Sequence, residues 1–230
     1  SSQASTYMTK HERIPFEKII HINLGYDFSL FRLAEPSSAD AIRKKYPCGI
    51  LLLTVCRFTE YKRPELSIEV LRELLARGED AKLIFLGRGP MEAELRNRIA
   101  SEKLEDRIFI PGHVDNILEY MAAGDYLIHP SVLESSCVVV KEAGLVSKPV
   151  IVCKGIGDFD DYIVDDTNGF RVDPEAFVKQ AVDVIARTAG DKPKLETIGE
   201  ALNKEIKQRF SIDNVFPVYQ TLIERSKLKR

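Results

Sequence analysis

The chain has 230 residues and a mass of 26.0 kDa, enough for one large domain or two small ones. Hydrophobic residues make up 44% and charged residues 30%, a balance typical of a globular protein with a sizeable core. The 33 Lys and Arg against 35 Asp and Glu give a net charge of -2, which argues against a nucleic-acid-binding protein.

The predicted elements begin with a short apolar strand at Lys18–Ile22 and a polar connector at 34–48. From residue 50 onward, apolar runs alternate with longer stretches of helical spacing. The predicted strands are 50–55, 81–86, 108–110, 126–129, 150–153 and 169–172, and the predicted helices are 64–77, 91–102, 116–122, 135–147 and most of 174–226. Strands that alternate with helices indicate βαβ units. We therefore predict an α/β fold with a doubly wound parallel sheet.

The cysteines and the apolar runs bear on the compartment. Cys48, Cys56, Cys137 and Cys153 are far apart and form no CxxC pair, which favours free thiols. The longest apolar run, Ile50–Cys56, is far shorter than the roughly 18–20 residues of a membrane-spanning helix. Ser1–Thr6 is polar, unlike the start of a secretory signal. These features predict a cytoplasmic protein.

Cations follow the first predicted strand of the sheet. Arg57 comes directly after that strand, and Lys62 and Arg63 precede a helix predicted to begin at Pro64. In an open α/β sheet, ligands bind outside the carboxyl ends of the strands. Cations at a helix N-terminus oppose the helix dipole, so they favour an anion site in which N–H groups and cations hold a phosphate. A solvated loop balanced by neighbouring glutamates is the other interpretation.

The next strand ends in Gly87-Arg88-Gly89-Pro90, a G-x-G segment before a helix. Glu92 occupies the place of the third glycine of a dinucleotide-binding fingerprint, and the chain has no GxxxxGK[ST] motif. A nicotinamide cofactor and a P-loop are therefore not supported. Two interpretations stay open, a backbone approach to a phosphate and a tight turn between strand and helix.

Two glutamates stand out after the strand at 126–129. Glu134 lies in the loop, where Ser135 or Ser136 is a natural N-cap, and Glu142 follows 142 − 134 = 8 residues later in an apolar helix. A lone carboxylate there needs a partner. Ligand hydroxyls could serve, and so could Lys141 or Lys148 on a solvated face. Cations at one strand end and carboxylates at another predict a ligand that is anionic and polyhydroxylated, such as a nucleotide sugar.

Residues 50–172 resemble the C-terminal, donor-binding half of the family 4 retaining glycosyltransferases (glycosyl transferases group 1), which have the GT-B fold with Rossmann-like domains. The spacing Glu134-x7-Glu142 is similar to the E-x7-E motif of that family, and Arg57 with Lys62 is similar to its Arg/Lys pair. Further agreement lies in Gly87-Arg88-Gly89-Pro90, Pro111-Gly112-His113-Val114 and Asn168-Gly169-Phe170.

Three segments depart from the family pattern. Cys56 replaces the glycine before the arginine, and Ser135-Ser136-Cys137 replaces a glycine-rich segment. The family's G-G-x-x-E segment has aspartates here, in the stretch Gly155–Asp161. These departures bear on the preference for the sugar more than on the nucleotide.

The resemblance implies a role for each matching residue. Arg57 and Lys62 would hold the donor diphosphate and, with Glu134 at the donor sugar, form the catalytic set. Glu142 would bind the ribose hydroxyls, and Val114 would lie against the base. The other donor-binding residues that the resemblance implies are Ser135, Ser136, Cys137, Gly87, Arg88 and His113. The family uses neither a metal nor a cofactor, so we expect no metal site.

The predicted function is binding of a UDP or GDP sugar in retaining hexosyl transfer to a glycan or lipid-linked acceptor. A non-catalytic nucleotide-sugar-binding module and an epimerase of GT-B architecture are the alternatives. We expect residues 1–48 to link the domain at 49–230 to an N-terminal domain that the chain lacks, so that the chain alone transfers little. A lipid-linked acceptor would bring the full-length enzyme into peripheral contact with the inner face of a membrane.

Overall fold

The computed structural model describes residues 2–227, with side-chain surroundings for residues 4–224. The strands are β1 Ile50–Val55, β2 Ala81–Leu86, β3 Ile108–Phe109, β4 Tyr126–His129, β5 Val150–Cys153 and β6 Phe170–Val172. They form one parallel sheet in the order β3-β2-β1-β4-β5-β6. Every residue of β1 is buried, as expected of a strand covered on both faces. The predicted doubly wound α/β fold is confirmed.

Helices cover both faces of the sheet. The helices of the described residues are α1 Ser2–Lys10, α2 Pro36–Lys45, α3 Glu65–Ala76, α4 Glu92–Ser101, α5 Ile117–Ala123, α6 Val138–Leu145, α7 Phe177–Thr188, α8 Lys192–Phe210 and α9 Ile212–Lys227. One apolar cluster packs α3, α4 and α7 on one face, and the other packs α5, α6 and the second half of α8 on the opposite face. Of the helices described, none has the length and apolar character needed to span a bilayer.

The strand order reverses between β1 and β4. β1 pairs with β2 on one side and with β4 on the other, so the chain leaves these two central strands toward opposite faces. Such a switch point opens a crevice at the carboxyl ends of the strands. The loop after β1, which carries Arg57, and the loop after β4, which carries Glu134, therefore flank the same crevice.

The predicted connector at 34–48 is wrong, because residues 36–45 form α2. Pro36 occupies the first position of the helix, where its missing N–H and fixed φ are tolerated. α2 packs on α5, and its Arg43 lies 2.8 Å from the Asp125 carboxylate. Asp125 also accepts the main-chain N–H of Leu51 at 2.7 Å. This ion pair holds α2 at the amino edge of the sheet, opposite the crevice.

The predicted strand at Lys18–Ile22 is also wrong. Residues 16–18 form a single turn of 3-10 helix, and Ile20 is 61% exposed. An apolar pattern of five residues specifies a strand only where a sheet edge is available to pair with it. The N-terminal segment instead joins the domain at Tyr26, which forms a bridge with Ser211 between α8 and α9.

Candidate functional site

A cleft of about 470 Å³ opens at the switch point. It brings together five of the predicted donor-site residues, namely Arg57, Gly87, Arg88, His113 and Val114. Its floor is apolar and includes Val55, Leu86, Ile117 and Val139. The side chains of Arg57, Arg88 and His113 are exposed. The cleft therefore combines an apolar floor with a basic rim, which suits a ligand with a flat ring and an anionic group.

The glycines of the G-x-G segment let the loops after β1 and β2 pack directly on each other. Gly87 has φ +150°, and a Cβ there would lie 1.9 Å from the carbonyl oxygen of Cys56. A Cβ on Gly89 would lie 2.3 Å from the carbonyl oxygen of Phe58. These contacts favour the interpretation as a tight turn, although Gly87 also lines the cleft. The close packing sets Arg57 and Arg88 on one rim.

Arg57 and Arg88 carry the positive charge of the cleft rim. Neither guanidinium pairs with a carboxylate in the part of the chain that the structure describes. Two exposed cations on the rim of a cleft attract anions, and guanidinium groups match phosphate oxygens in geometry. The rim is therefore electrostatically prepared for a phosphate or diphosphate.

Glu134, in the loop after β4, lies at the centre of a second group of charges. One carboxylate oxygen, Oε1, accepts from Lys62 Nζ, which lies on the turn after β1. The same oxygen lies 2.5 Å from His129 Nε2 at the end of β4. Lys62 therefore joins the loops after the two central strands. Oε2 of Glu134 takes part in neither bond and remains an acceptor for another donor.

The environment fixes the charge of these groups. Burial raises the pKa of Glu134, but His129 and Lys62 outweigh burial and lower it to about 2. Burial lowers the pKa of His129, but Cys137 and Glu134 outweigh burial and raise it to about 9. At neutral pH one carboxylate thus lies between two cations.

His129, Glu134 and Cys137 also offer the donor set of a metal site. Their ligand atoms lie within 4.8 Å of one another. Imidazole, thiolate and carboxylate groups are common ligands of zinc. The Lys62 ammonium group on the same carboxylate oxygen opposes a second cation at that point. The expectation of a metal-independent site stays a prediction.

The start of α6 differs from the prediction. α6 begins at Val138 with Cys137 at the N-cap position, so the predicted cap at Ser135 or Ser136 is wrong. The Ser136 hydroxyl donates instead to Asp158 Oδ2 at 3.2 Å. Among the described residues, no protein acceptor takes the main-chain N–H groups of Ser135, Ser136 and Cys137. These donors remain available at the carboxyl edge of the sheet.

Glu142 lies one turn along α6 from Val139, which lines the cleft. Its carboxylate is half-buried, and burial raises its pKa. Lys141 pairs with Asp158 instead, and the charges around Lys148 are those of Asp125, Arg43 and Glu196. Within the described range, Glu142 has no cationic partner. A half-buried carboxylate without a cationic partner can accept hydrogen bonds from the hydroxyl groups of a ligand.

Arg63 follows Lys62 in the sequence, but its side chain makes hydrogen bonds within the protein. Its backbone is left-handed, with φ 48°, and its guanidinium donates to Pro130 O at 2.8 Å and to Pro174 O at 3.0 Å. A third bond reaches Cys153 Sγ at 3.2 Å. These contacts tie together the chain after β4, β5 and β6. The interpretation of Arg63 as a phosphate ligand is therefore wrong.

Sequence reasoning missed His129 and Asp158. His129 is buried at the last position of β4, and a histidine at the end of a wholly apolar strand, five residues before a glutamate, is the signal that could have found it. In the sequence, Asp158 stands out only as part of the stretch Gly155–Asp161, which departs from a family motif. Its partner Lys141 interrupts an apolar helix, and that interruption was the available signal.

The model of the glycosyl transferases group 1 family matches residues 39–205. Among curated proteins, alpha-D-kanosaminyltransferase of Streptomyces kanamyceticus is 28% identical over 206 residues, which cover 87% of this chain and 52% of that protein. The solved structure of Anabaena HepE in complex with UDP has a TM-score of 0.85 at 23% identity, covering 97% of this chain and 62% of that one. The C-terminal domain of LpcC, a glycosyl transferase group 1 family protein from Francisella tularensis, has a TM-score of 0.70 at 23% identity, covering 82% of this chain and 100% of that one.

The structural likeness supports the GT-B fold class, and the chain spans about half the length of the curated relatives it matches. The family model covers well over half of the chain. It includes the strands, the cleft and both members of the E-x7-E pair described above. The chain belongs to the glycosyl transferases group 1 family.

Proposed function

We propose that this chain forms the donor-binding half of a retaining hexosyltransferase that uses a nucleoside-diphosphate sugar. The acceptor is a glycan or a lipid-linked sugar. One observation carries the proposal: Arg57 and Arg88, which have no carboxylate partner among the described residues, line one cleft, and the loop after the neighbouring strand β4 carries a carboxylate that Lys62 and His129 hold between them. The two arginines suit a diphosphate, and the Glu134 carboxylate suits the hydroxyl groups of a hexose.

The donor diphosphate occupies the basic rim in this proposal. Arg57 binds it from the end of β1, and Lys62 reaches it from the turn that follows. Lys62 then divides its three N–H donors between Glu134 and the phosphate. As the bond between sugar and phosphate breaks, negative charge grows on the leaving diphosphate. These cations stabilise it at that stage, and such stabilisation is a large term in catalysis.

The rest of the donor fits the remaining groups. Glu134, through Oε2, and the N–H groups of Ser136 and Cys137 bind hydroxyls of the hexose. Glu142 binds the ribose hydroxyls, and Val114 lies against the base with the apolar floor of the cleft. HepE, a structural neighbour, is solved with UDP and with UDP-glucose, which supports UDP ahead of GDP.

The reaction proceeds on one face of the sugar. The acceptor hydroxyl forms a new bond to the anomeric carbon as the bond to the diphosphate breaks. The donor phosphate takes the proton of the acceptor, and the configuration is retained. No step uses a metal or a cofactor. Since the chain spans about half the length of its relatives, we propose that the acceptor binds mainly to a second domain.

Thermal unfolding of the chain with UDP, GDP, ADP and their sugars tests the donor site. Ligand at ~100 times its dissociation constant adds ~2.7 kcal/mol to the free energy of unfolding. Each kcal/mol moves the midpoint by ~2–4 °C for a domain of this size. We expect a shift with UDP that Glu142→Ala reduces. Glu200→Ala, an exposed glutamate on α8, is the matched control. Wild-type protein that no nucleotide shifts would contradict the proposal.

A further inference from the structure

Lys141 is a charged side chain inside the protein. It belongs to α6, and its side chain is 1% exposed. Nζ lies 2.9 Å from Asp158 Oδ2 and stands over the rings of Phe210 and Tyr162, with distances of 4.4 and 5.1 Å to the ring centroids. Removing both charges from water is expensive, and apolar residues of similar volume are often at least as stable in such places. Stability alone therefore does not account for the pair.

Asp158 has few other contacts to hold it. Its Oδ2 accepts from Lys141 and from the Ser136 hydroxyl. Its Oδ1 is buried and has no partner in the described part of the protein. The carboxylate is thus fixed by these two bonds. Lys141, Asp158 and Ser136 thus form a small network. Ser136 lies in sequence between Glu134 and the start of α6, where the main-chain N–H groups have no acceptor among the described residues.

The chain around Asp158 packs on the Glu134 cluster. We call residues 155–161 the β5–β6 loop. At Gly157, which has φ +62°, a Cβ would lie 2.8 Å from the Glu134 Cβ. Phe159 meets the His129 ring edge to face, with ring centroids 6.1 Å apart. The loop therefore covers Glu134 and His129, and Lys141 anchors its middle.

We propose that Lys141 and Asp158 are positioning residues that set the affinity for the hexosyl part of a nucleoside-diphosphate sugar. They hold Ser136 and the β5–β6 loop against Glu134, which receives the sugar hydroxyls. The nucleotide is held elsewhere, by the loops after β1, β2 and β3 and by Glu142. This inference rests on the proposed function. It predicts that loss of the ion pair weakens binding of the nucleotide sugar without weakening binding of the free nucleotide.

The test compares UDP with UDP-glucose by calorimetric titration of the whole chain. The variants are Asp158→Asn, Lys141→Met and the double variant, in which neither charge is left buried alone. We expect the affinity for UDP-glucose to fall by about ten-fold or more, the value of one hydrogen bond to a charged group, while that for UDP stays within about two-fold. Hydrogen exchange at 155–161 should become faster in the same variants.

Arg43→Met is the matched control, because it breaks another ion pair at the opposite edge of the sheet. It should leave the ratio of the two affinities unchanged. A double variant that folds and keeps the wild-type ratio would overturn the inference while leaving the proposed function intact. A wild-type chain that binds neither ligand would remove the proposed function and this inference with it. Equal weakening of UDP and UDP-glucose would indicate a merely structural role and also overturn it.

Discussion

The two halves of the sheet differ in the charged groups that follow their strands. The loops after β1 and β2 supply Arg57 and Arg88, which are exposed and have no carboxylate partner within the described residues. The chain after β4 and β5 supplies buried groups that are already paired, Glu134 with His129 and Asp158 with Lys141. Exposed cations bind an anion over a range of positions. Paired, buried groups hold one geometry, as the proposed recognition of a hexose requires.

We call the groups after β4 and β5, namely Glu134, His129, Asp158 and Lys141, the buried half of the site. The largest effect is expected when one charge is removed from this buried half. Lys141→Met leaves Asp158 buried without its cation and should lower the free energy of unfolding by about 3–5 kcal/mol. Urea unfolding followed by circular dichroism measures it. Arg43→Met removes a half-buried pair at the other edge, and we expect a loss of about 1 kcal/mol or less. Equal losses in the two variants would contradict the distinction.

Lys62 links the two halves, so its loss should affect ligand binding more than folding. Lys62→Ala removes a charged donor from the proposed diphosphate site. The affinity for UDP should fall by about ten-fold to a hundred-fold, equivalent to about 1.5–3 kcal/mol. Isothermal titration measures the change, and Lys204→Ala, an exposed lysine on α8, serves as control. An unchanged affinity would exclude Lys62 from the site.

The buried half should also make the free energy of unfolding depend on pH. The pKa of His129 is raised from 6.5 to about 9 in the folded chain, so folding favours the protonated ring. This stabilisation is complete below pH 6.5 and is lost as pH rises to about 9. We expect a decline of about 3 kcal/mol across that interval. His129→Gln should flatten the curve of unfolding free energy against pH. If the variant declines as much as the wild type, another group causes the pH dependence.

The smallest effect is expected where the N-terminal segment meets the buried half. Burial raises the pKa of the Tyr26 phenol, and a hydrogen bond with Ser136 opposes that change. Tyr26→Phe removes the hydroxyl group and keeps the ring beside Phe28. We expect a loss of about 1 kcal/mol or less in unfolding free energy and a slight weakening of UDP-glucose binding. A loss as large as that of Lys141→Met would place Tyr26 at the centre of the network instead.

The sequence predicted the sheet well because β1, β2, β4 and β5 are short apolar runs with clear turn signals. Their predicted bounds match the structure. α2 was missed because Pro36, Ser37 and Ser38 at its start, and Pro47 just after it, are also typical of a connector. The N-cap of α6 was missed because Ser136 bonds to Asp158, which is 22 residues away. Long-range partners of this kind leave no local pattern.

For the candidate site, the sequence predicted the residues at strand ends but not the long-range pairs. Residues whose position follows from a strand end, such as Arg57 and Val114, do line one cleft. The assignment of roles to Arg57, Lys62, Glu134 and Glu142 stays a prediction. The pairing of Lys141 with Asp158 depended on the path of the β5–β6 loop, and strand periodicity carries no information about that path.

The bridge between Tyr26 and Ser211 has a consequence for synthesis on the ribosome. The two residues are 211 − 26 = 185 positions apart, and the main chain of Tyr26 bonds to Phe210 and Ile212 on either side of Ser211. The sheet strands lie between them in sequence and pair mostly with near neighbours. The sheet can therefore assemble while translation continues, because domains fold as they emerge. Tyr26 can form its bonds to Phe210 and Ile212 only after α8 and the start of α9 have been synthesised.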